Sequence, residues 1–199
     1  MTQETMSRGA RTRIEIIAAA HSLFLEHGYH GTSMRQIASR AGIALGGIYN
    51  HFDSKEDIFA SVLDNYHPYH EMLPIMQNAL GETVEDFVRD AADGMISALE
   101  RRPDFLNLMF IEIVEFDQKH MPDMFEHFFP EIMVIVENFA QREGNLRPIP
   151  IPIIIRAFLG MIFAFYLSEN IIQDYMLPES KENARDYLID IFLHGIVAG

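Results

Sequence analysis

The chain has 199 residues, of which 49% are apolar and 22% charged, with 12 Met, 15 Phe and no Cys. That apolar content excludes a disordered or fibrous chain, and the missing thiols exclude a disulfide framework or thiolate metal site. A net charge of −14 argues against a polyanionic partner for the chain as a whole. The charge is unevenly placed, however: residues 1–52 carry five Arg against three Glu, or +2, which leaves −16 for the remainder. Any nucleic acid is therefore expected at the mildly basic head.

Residues 1–13 hold no apolar run of signal-peptide length, so no export is expected and the cytoplasm is the expected compartment. Strand signals are nearly absent, and helical periodicity predicts an all-α fold. Ile16, Ile17, Ala20, Leu23 and Phe24 share one face of a helix over residues 12–27, which Gly28 stops. Thr32 or Ser33 is placed to cap a second helix through Met34, Ile37, Ala38 and Ala41, broken by Gly42. A short third helix follows over residues 44–52. Asp53 and Ser54 then cap a long fourth one that runs to the neighbourhood of His67 and Pro68; Pro68 and Pro74 each forbid its regular continuation. Further helices are read at residues 83–101, 103–119, 122–143, 152–172 and 180–197, several with proline in the first turn, where its missing donor costs nothing. The most apolar stretch, 148–168, is interrupted by Pro150, Pro152 and Arg156 and reads as a buried or interfacial helix rather than a membrane span.

Two short helices separated by Ala41-Gly42-Ile43 have the layout of a helix-turn-helix, whose second helix enters the major groove. Ile37, Ala38, Ile43, Ile48 and Phe52 have the spacing of packing residues against Ile16, Ala20 and Phe24. Leu45, Gly46, Tyr49 and Asn50 fall on the opposite side, where base edges would lie; the Asn50 amide suits adenine. Thr32, Ser33, Arg35, Tyr49, His51 and Lys55 are the candidate phosphate contacts, with Arg8, Arg11 and Arg13 as a flexible basic arm.

The ordered run Gly28-Tyr29-His30-Gly31-Thr32-Ser33, Ile37-Ala38, Ala41-Gly42-Ile43 and Gly47-Ile48-Tyr49-Asn50-His51-Phe52-Asp53-Ser54-Lys55-Glu56 resembles the N-terminal domain of the tetracycline-repressor-like (TetR) family, over roughly residues 12–60. The resemblance implies a DNA-binding domain over residues 1–54, with Gly47 among its interface residues, and a helical ligand-binding and dimerisation domain over 55–199. It also implies a repressor that binds a palindromic operator in double-stranded DNA as a homodimer and is released by a hydrophobic small molecule. One departure stands out. Family members commonly carry Ser or Thr where this chain has Ala44, and Gly46-Gly47 lowers helix propensity by about 1 kcal/mol per Gly relative to Ala. The reading helix is therefore expected to complete its ordering on DNA.

In the acidic body, Gly160, Ala164 and Ser168 recur every fourth residue, a spacing that permits close helix approach, and Leu188, Ile191, Phe192 and Gly195 form a second seam; both are assigned to the dimer interface. Met72, Met76, Met95, Phe105, Met109, Phe110, Phe116, Phe128 and Phe163, with Glu112 as a polar member, are the candidate pocket residues, because Met adapts to irregular shapes and Phe provides flat apolar walls. Glu112-x-x-Glu115 followed by His120 falls short of the paired Glu-x-x-His of a diiron bundle, and His67, His70 and Glu71 add no second half. No metal, cofactor or catalytic residue is assigned. An all-α acid–base or metal enzyme is one alternative, which leaves the DNA-like head without a role; an interaction module that has lost DNA binding is another, to which Ala44 and Gly46-Gly47 point.

Overall fold

In the computed structural model, which describes residues 7–172 and 183–197, every regular element is a helix. The Ser7 hydroxyl accepts from the Ala10 N–H and starts α1 (Arg8–His27). Arg8, Arg11 and Arg13 are thus helical. The sequence expectation of a flexible arm is corrected, because the Ser7 cap begins the helix ahead of all three. Gly28, at φ 72°, ends it. Ser33 caps α2 (Met34–Arg40) in a reciprocal box with Gln36, Gly42 turns the chain at φ +71°, and α3 (Leu45–Ile48) follows. Helix α4 (Lys55–Tyr66) takes its cap from Ser54.

The chain restarts immediately as α5 (Tyr69–Gln77), with Pro74 inside it. This corrects the expectation that Pro74 forbids regular helix. Tyr69, Leu73 and Met76 lie one helical face apart and are all buried, and that burial offsets the single hydrogen bond Pro74 cannot donate. Next come α6 (Val84–Glu100), α7 (Phe105–Phe116), α8 (Met121–Ala140), α9 (Ile151–Ile172) and α10 (Ala184–Ile196). The expected start of the last helix, residues 180–182, lies outside the described residues. Helix α9 runs unbroken, since Pro152 sits in its first turn. By length and composition Ile151–Ile171 is apolar enough to cross a membrane, and only 28% of it is buried. Pro150 and Pro152 thus stand at the start of the helix and do not interrupt it, while Arg156 remains as a charge within it.

Two compact units result. The first joins Met1–His67 to Asp104–Phe125, the second Pro68–Pro103 to Glu126–Gly199. In the first unit α1 packs on α2 and α4, α2 on α3, and α7 on α1 and α4. Its core is Ile16, Ala20, Phe24, Ile37, Ile48, Ile58, Phe59, Val62 and Leu63. In the second, α6 packs on α5, α9 and α10 around Ala91, Ala92, Met95, Ile162 and Ile189.

Candidate nucleic-acid interface

Of the packing set read from the sequence, Ile43 is only half-buried, and the other four members are in the core. Ile37, Ala38, Ile48 and Phe52 are each at most 4% exposed, on the same core as Ile16, Ala20 and Phe24. The opposite side of α2 and α3 is open: Ser33, Arg35, Leu45, Gly46, Tyr49 and Asn50 are exposed, and Gly47 and His51 are half-buried. Helix α3 is one turn long, shorter than expected, and Ala44 offers no side-chain cap. The chain beyond it tightens through Asn50 N–H to Gly47 C=O at 3.3 Å and His51 N–H to Ile48 C=O at 3.0 Å. A Cβ added at Gly46 or Gly47 would meet nothing within 4 Å, so no close packing within the protein requires either glycine.

Two candidate phosphate contacts are placed otherwise. Thr32 is 2% exposed, and its hydroxyl donates to the carbonyls of Leu23 at 3.1 Å and Gly28 at 2.9 Å. That side chain faces the end of α1, not the solvent, because the carbonyls left open where α1 ends need a donor. The Lys55 ammonium donates to the carbonyls of Tyr29 at 2.6 Å and Thr32 at 2.7 Å and lies 4.1 Å from the centre of the Tyr29 ring. Desolvation pushes its pKa down, and the Glu115 carboxylate opposes the shift. In this conformation Lys55 acts as a clasp across the α1–α2 loop.

Two features escaped sequence reasoning. Arg13 donates to the His51 carbonyl at 2.9 Å and to the Ser61 hydroxyl at 3.0 Å, with its guanidinium 4.0 Å from the centre of the Phe52 ring. It thereby ties α1 to the exit of α3 and to α4. Arg40 forms a two-pronged pair with Glu26 at 2.7 and 2.8 Å, which holds the Glu26 carboxyl below its ordinary range. Only long-range geometry reveals either link, since both join residues more than ten apart in sequence.

The expected pocket residues are divided between the units. Phe105, Met109, Phe110, Glu112 and Phe116 lie on α7 in the first; Met72, Met76, Met95, Phe128 and Phe163 lie in the second. Glu112 is fully buried against His120, and Phe116 packs on Tyr29, Phe59 and His120, so neither lines an open space. Phe110 and Phe163 are 52% and 42% exposed. Met76 contributes to a void of about 20 Å³ with Phe87, Ile135, Phe139, Ile154, Phe158 and Phe192. A space that small holds at most one water and, with apolar walls, stays dry. Among the described residues no three His, Asp or Glu side chains gather as a metal cluster.

Of the residues expected at a dimer interface, Gly160 and Ala164 are exposed beside Leu159 and Phe163, and Ile191 is 69% exposed. Ser168 and Leu188 are half-buried and Gly195 is exposed. Phe192 faces inward instead, its ring 5.6 Å from that of Phe158. It belongs to the core of its own unit, because α10 turns that face toward α9.

Residues 16–62 match the family model of bacterial regulatory proteins, tetR family. The transcriptional repressor BepR of Brucella suis biovar 1 is 41% identical over 61 residues, 31% of this chain and 29% of that protein. The transcriptional regulator TtgR of Pseudomonas putida is 36% identical over 73 residues, 37% of this chain and 35% of that one. These matches therefore span about a third of each relative. Over nearly the whole chain the fold is shared: a solved structure from Mesorhizobium loti MAFF303099, assigned to the tetR family of transcriptional regulators, superposes with a TM-score of 0.69 at 22% identity, covering 97% of this chain and 100% of that one.

Proposed function

We propose that this chain, a member of the tetR family of bacterial regulatory proteins, is a cytoplasmic repressor that binds a palindromic operator as a homodimer and leaves it when a small molecule with a hydrophobic body occupies the C-terminal region. In this reading residues 1–54 read DNA, residues 55–199 bind ligand and dimerise, and the chain uses no cofactor and performs no catalysis. The observation that carries it is the division of α2 and α3 into a buried face of Ile37, Ala38 and Ile48 and an open face of Ser33, Arg35, Leu45, Tyr49 and Asn50. A fixed core behind a polar, exposed turn and helix is what entry into a major groove requires.

The homodimer is supported by the open apolar surface on α9 and α10, where Leu159, Phe163 and Ile191 are exposed beside Gly160 and Ala164. Two readers related by a two-fold axis then meet half-sites about 34–36 Å apart or at multiples of that spacing. Release requires the effector to favour the conformer that does not bind DNA. Moving a population from 1:99 to 99:1 takes about 5.5 kcal/mol of preference. Helix α4 is the lever in this reading, since it follows α3 directly and stops at His67.

Selection of duplexes from a random-sequence pool, followed by titration at several salt concentrations, tests the reading. The expected product is an inverted repeat, bound with a steep salt dependence that a Tyr49→Ala, Asn50→Ala double variant loses. Recovery of no enriched sequence would overturn it.

A further inference from the structure

Helix α3 is a single turn, Leu45–Ile48, with two glycines inside it, and Ala44 ahead of it has no side-chain oxygen to cap it. A helix that short does not hold itself in water, because its open amides and carbonyls outnumber its internal bonds. Tyr49 and Asn50, the residues placed to meet base edges, follow it directly. Whatever fixes α3 therefore fixes them.

Arg13 supplies a hold from outside. One terminal nitrogen of its guanidinium donates to the His51 carbonyl at 2.9 Å, and the other donates to the Ser61 hydroxyl of α4 at 3.0 Å. The same group lies 4.0 Å from the centre of the Phe52 ring, which is itself buried. Among the described residues this is the one side-chain hydrogen bond that reaches into residues 44–52 from outside them. The guanidinium is a planar fork, so its two bonds fix the exit of α3 against α4 in direction as well as distance. Both acceptors are neutral, and salt does not screen the tie as it would an exposed ion pair.

We propose that Arg13 is a positioning residue for DNA reading: it stands in for the cap that Ala44 lacks, so that Tyr49 and Asn50 are held in order before DNA is met. This rests on the regulator reading above. It reverses the expectation from Gly46-Gly47 that α3 completes its ordering on DNA, and it moves Arg13 out of the phosphate-binding arm.

Amide exchange in the free protein tests the hold itself. The N–H groups of Asn50, His51 and Phe52 donate to carbonyls of Gly47 and Ile48, and in Arg13→Ala they are expected to exchange about tenfold faster, with the amides of α2 unchanged. Binding to the duplex selected above is expected to weaken about tenfold, because affinity falls with the fraction of the competent conformer. The salt slope should stay the same. Arg13→Lys keeps the charge but not the fork, and should weaken binding nearly as much. A phosphate contact behaves otherwise: its loss lowers the slope by about 1, and lysine largely replaces it. Ala44→Ser offers α3 a hydroxyl cap and is expected to restore most of the affinity lost in Arg13→Ala while adding little to the native protein.

Unchanged exchange at residues 50–52, a slope lowered by about 1, or no rescue by Ala44→Ser overturns the proposal. Should Arg13→Ala speed exchange in α2 as well, Ser61→Ala decides, since it removes one prong and leaves Arg13 in place. That variant is expected to weaken binding about two- to threefold with normal exchange in α2, and unchanged affinity overturns the proposal. Failure of the regulator reading appears in the unaltered protein, which then enriches no duplex; failure of the role given to Arg13 appears only in the variants.

Discussion

The carboxylate of Glu112, on α7, accepts both the backbone N–H of His120 at 2.7 Å and its Nδ1 at 2.8 Å, and it is wholly buried. This pair closes a turn in which Asp117 and Gln118 both hold positive φ, 50° and 62°. The same turn brings Lys119 onto Glu56 of α4 and the His120 ring against Phe59 and Phe116. Glu112 thus braces α7 against α4.

Removing that brace should loosen the first unit. Glu112→Ala leaves a buried N–H without an acceptor and is expected to destabilise the protein by about 2–3 kcal/mol. Urea denaturation measures the loss. A change below about 0.5 kcal/mol would mean that the turn is held by its aromatic contacts alone.

Lys55 and Arg35 should separate under salt. Arg35 is exposed on the open face, so Arg35→Ala is expected to lower the slope of log affinity against log salt by about 1. Lys55→Met removes a donor from the Tyr29 and Thr32 carbonyls, and should lower stability by about 1–2 kcal/mol while leaving the salt slope unchanged. A lowered slope for Lys55→Met would return that lysine to the phosphate contacts.

Gly46 should respond to alanine in opposite senses. No protein atom blocks a Cβ there, and Gly46→Ala is expected to raise stability by about 0.5–1 kcal/mol. The same methyl projects from the exposed reading face, where it should weaken binding to the selected duplex. Tighter binding by the variant would show instead that ordering of α3 limits affinity in the native protein.

Acid should unfold the second unit through Glu71. The Arg102 guanidinium first, and then Arg101, hold the Glu71 carboxyl below its ordinary value of 4.5. Because the folded-state value is depressed, the stabilisation is fully present above the unfolded value and is lost as pH falls through the folded one. Between pH 5 and 3 the urea midpoint should fall less steeply in Glu71→Gln than in the native protein. Parallel curves would remove Glu71 from the acid response.

Charge on α9 tests the proposed homodimer. Phe163→Glu, at an exposed position beside Ala164, is expected to give a monomer by sedimentation with an unchanged helical circular dichroism spectrum. A dimer that survives this change, and Ile191→Glu as well, would place the association surface elsewhere.

The sequence by itself determined the all-α class, helix caps at Thr32 or Ser33 and at Asp53-Ser54, the turns at Gly28 and Gly42, and the split of α2 and α3 into packing and open faces; the structure selected Ser33 and Ser54. These are local matters: a hydroxyl before a helix, a glycine at positive φ, and a 3.6-residue period act within a few residues of chain. Tertiary structure alone decided which polar side chains remain available. Thr32 and Lys55 look like surface phosphate ligands in one dimension, yet both donate to carbonyls of the α1–α2 junction. Glu112 finds His120 only because two left-handed residues fold the chain back on α7. Phe and Met spacing announced apolar faces but could not say which would leave space, since a cavity is what remains after several helices pack. The space lined by Ile96, Phe165 and Tyr166 exists because α6 and α9 pack on one another, and no local pattern in either helix encodes that meeting.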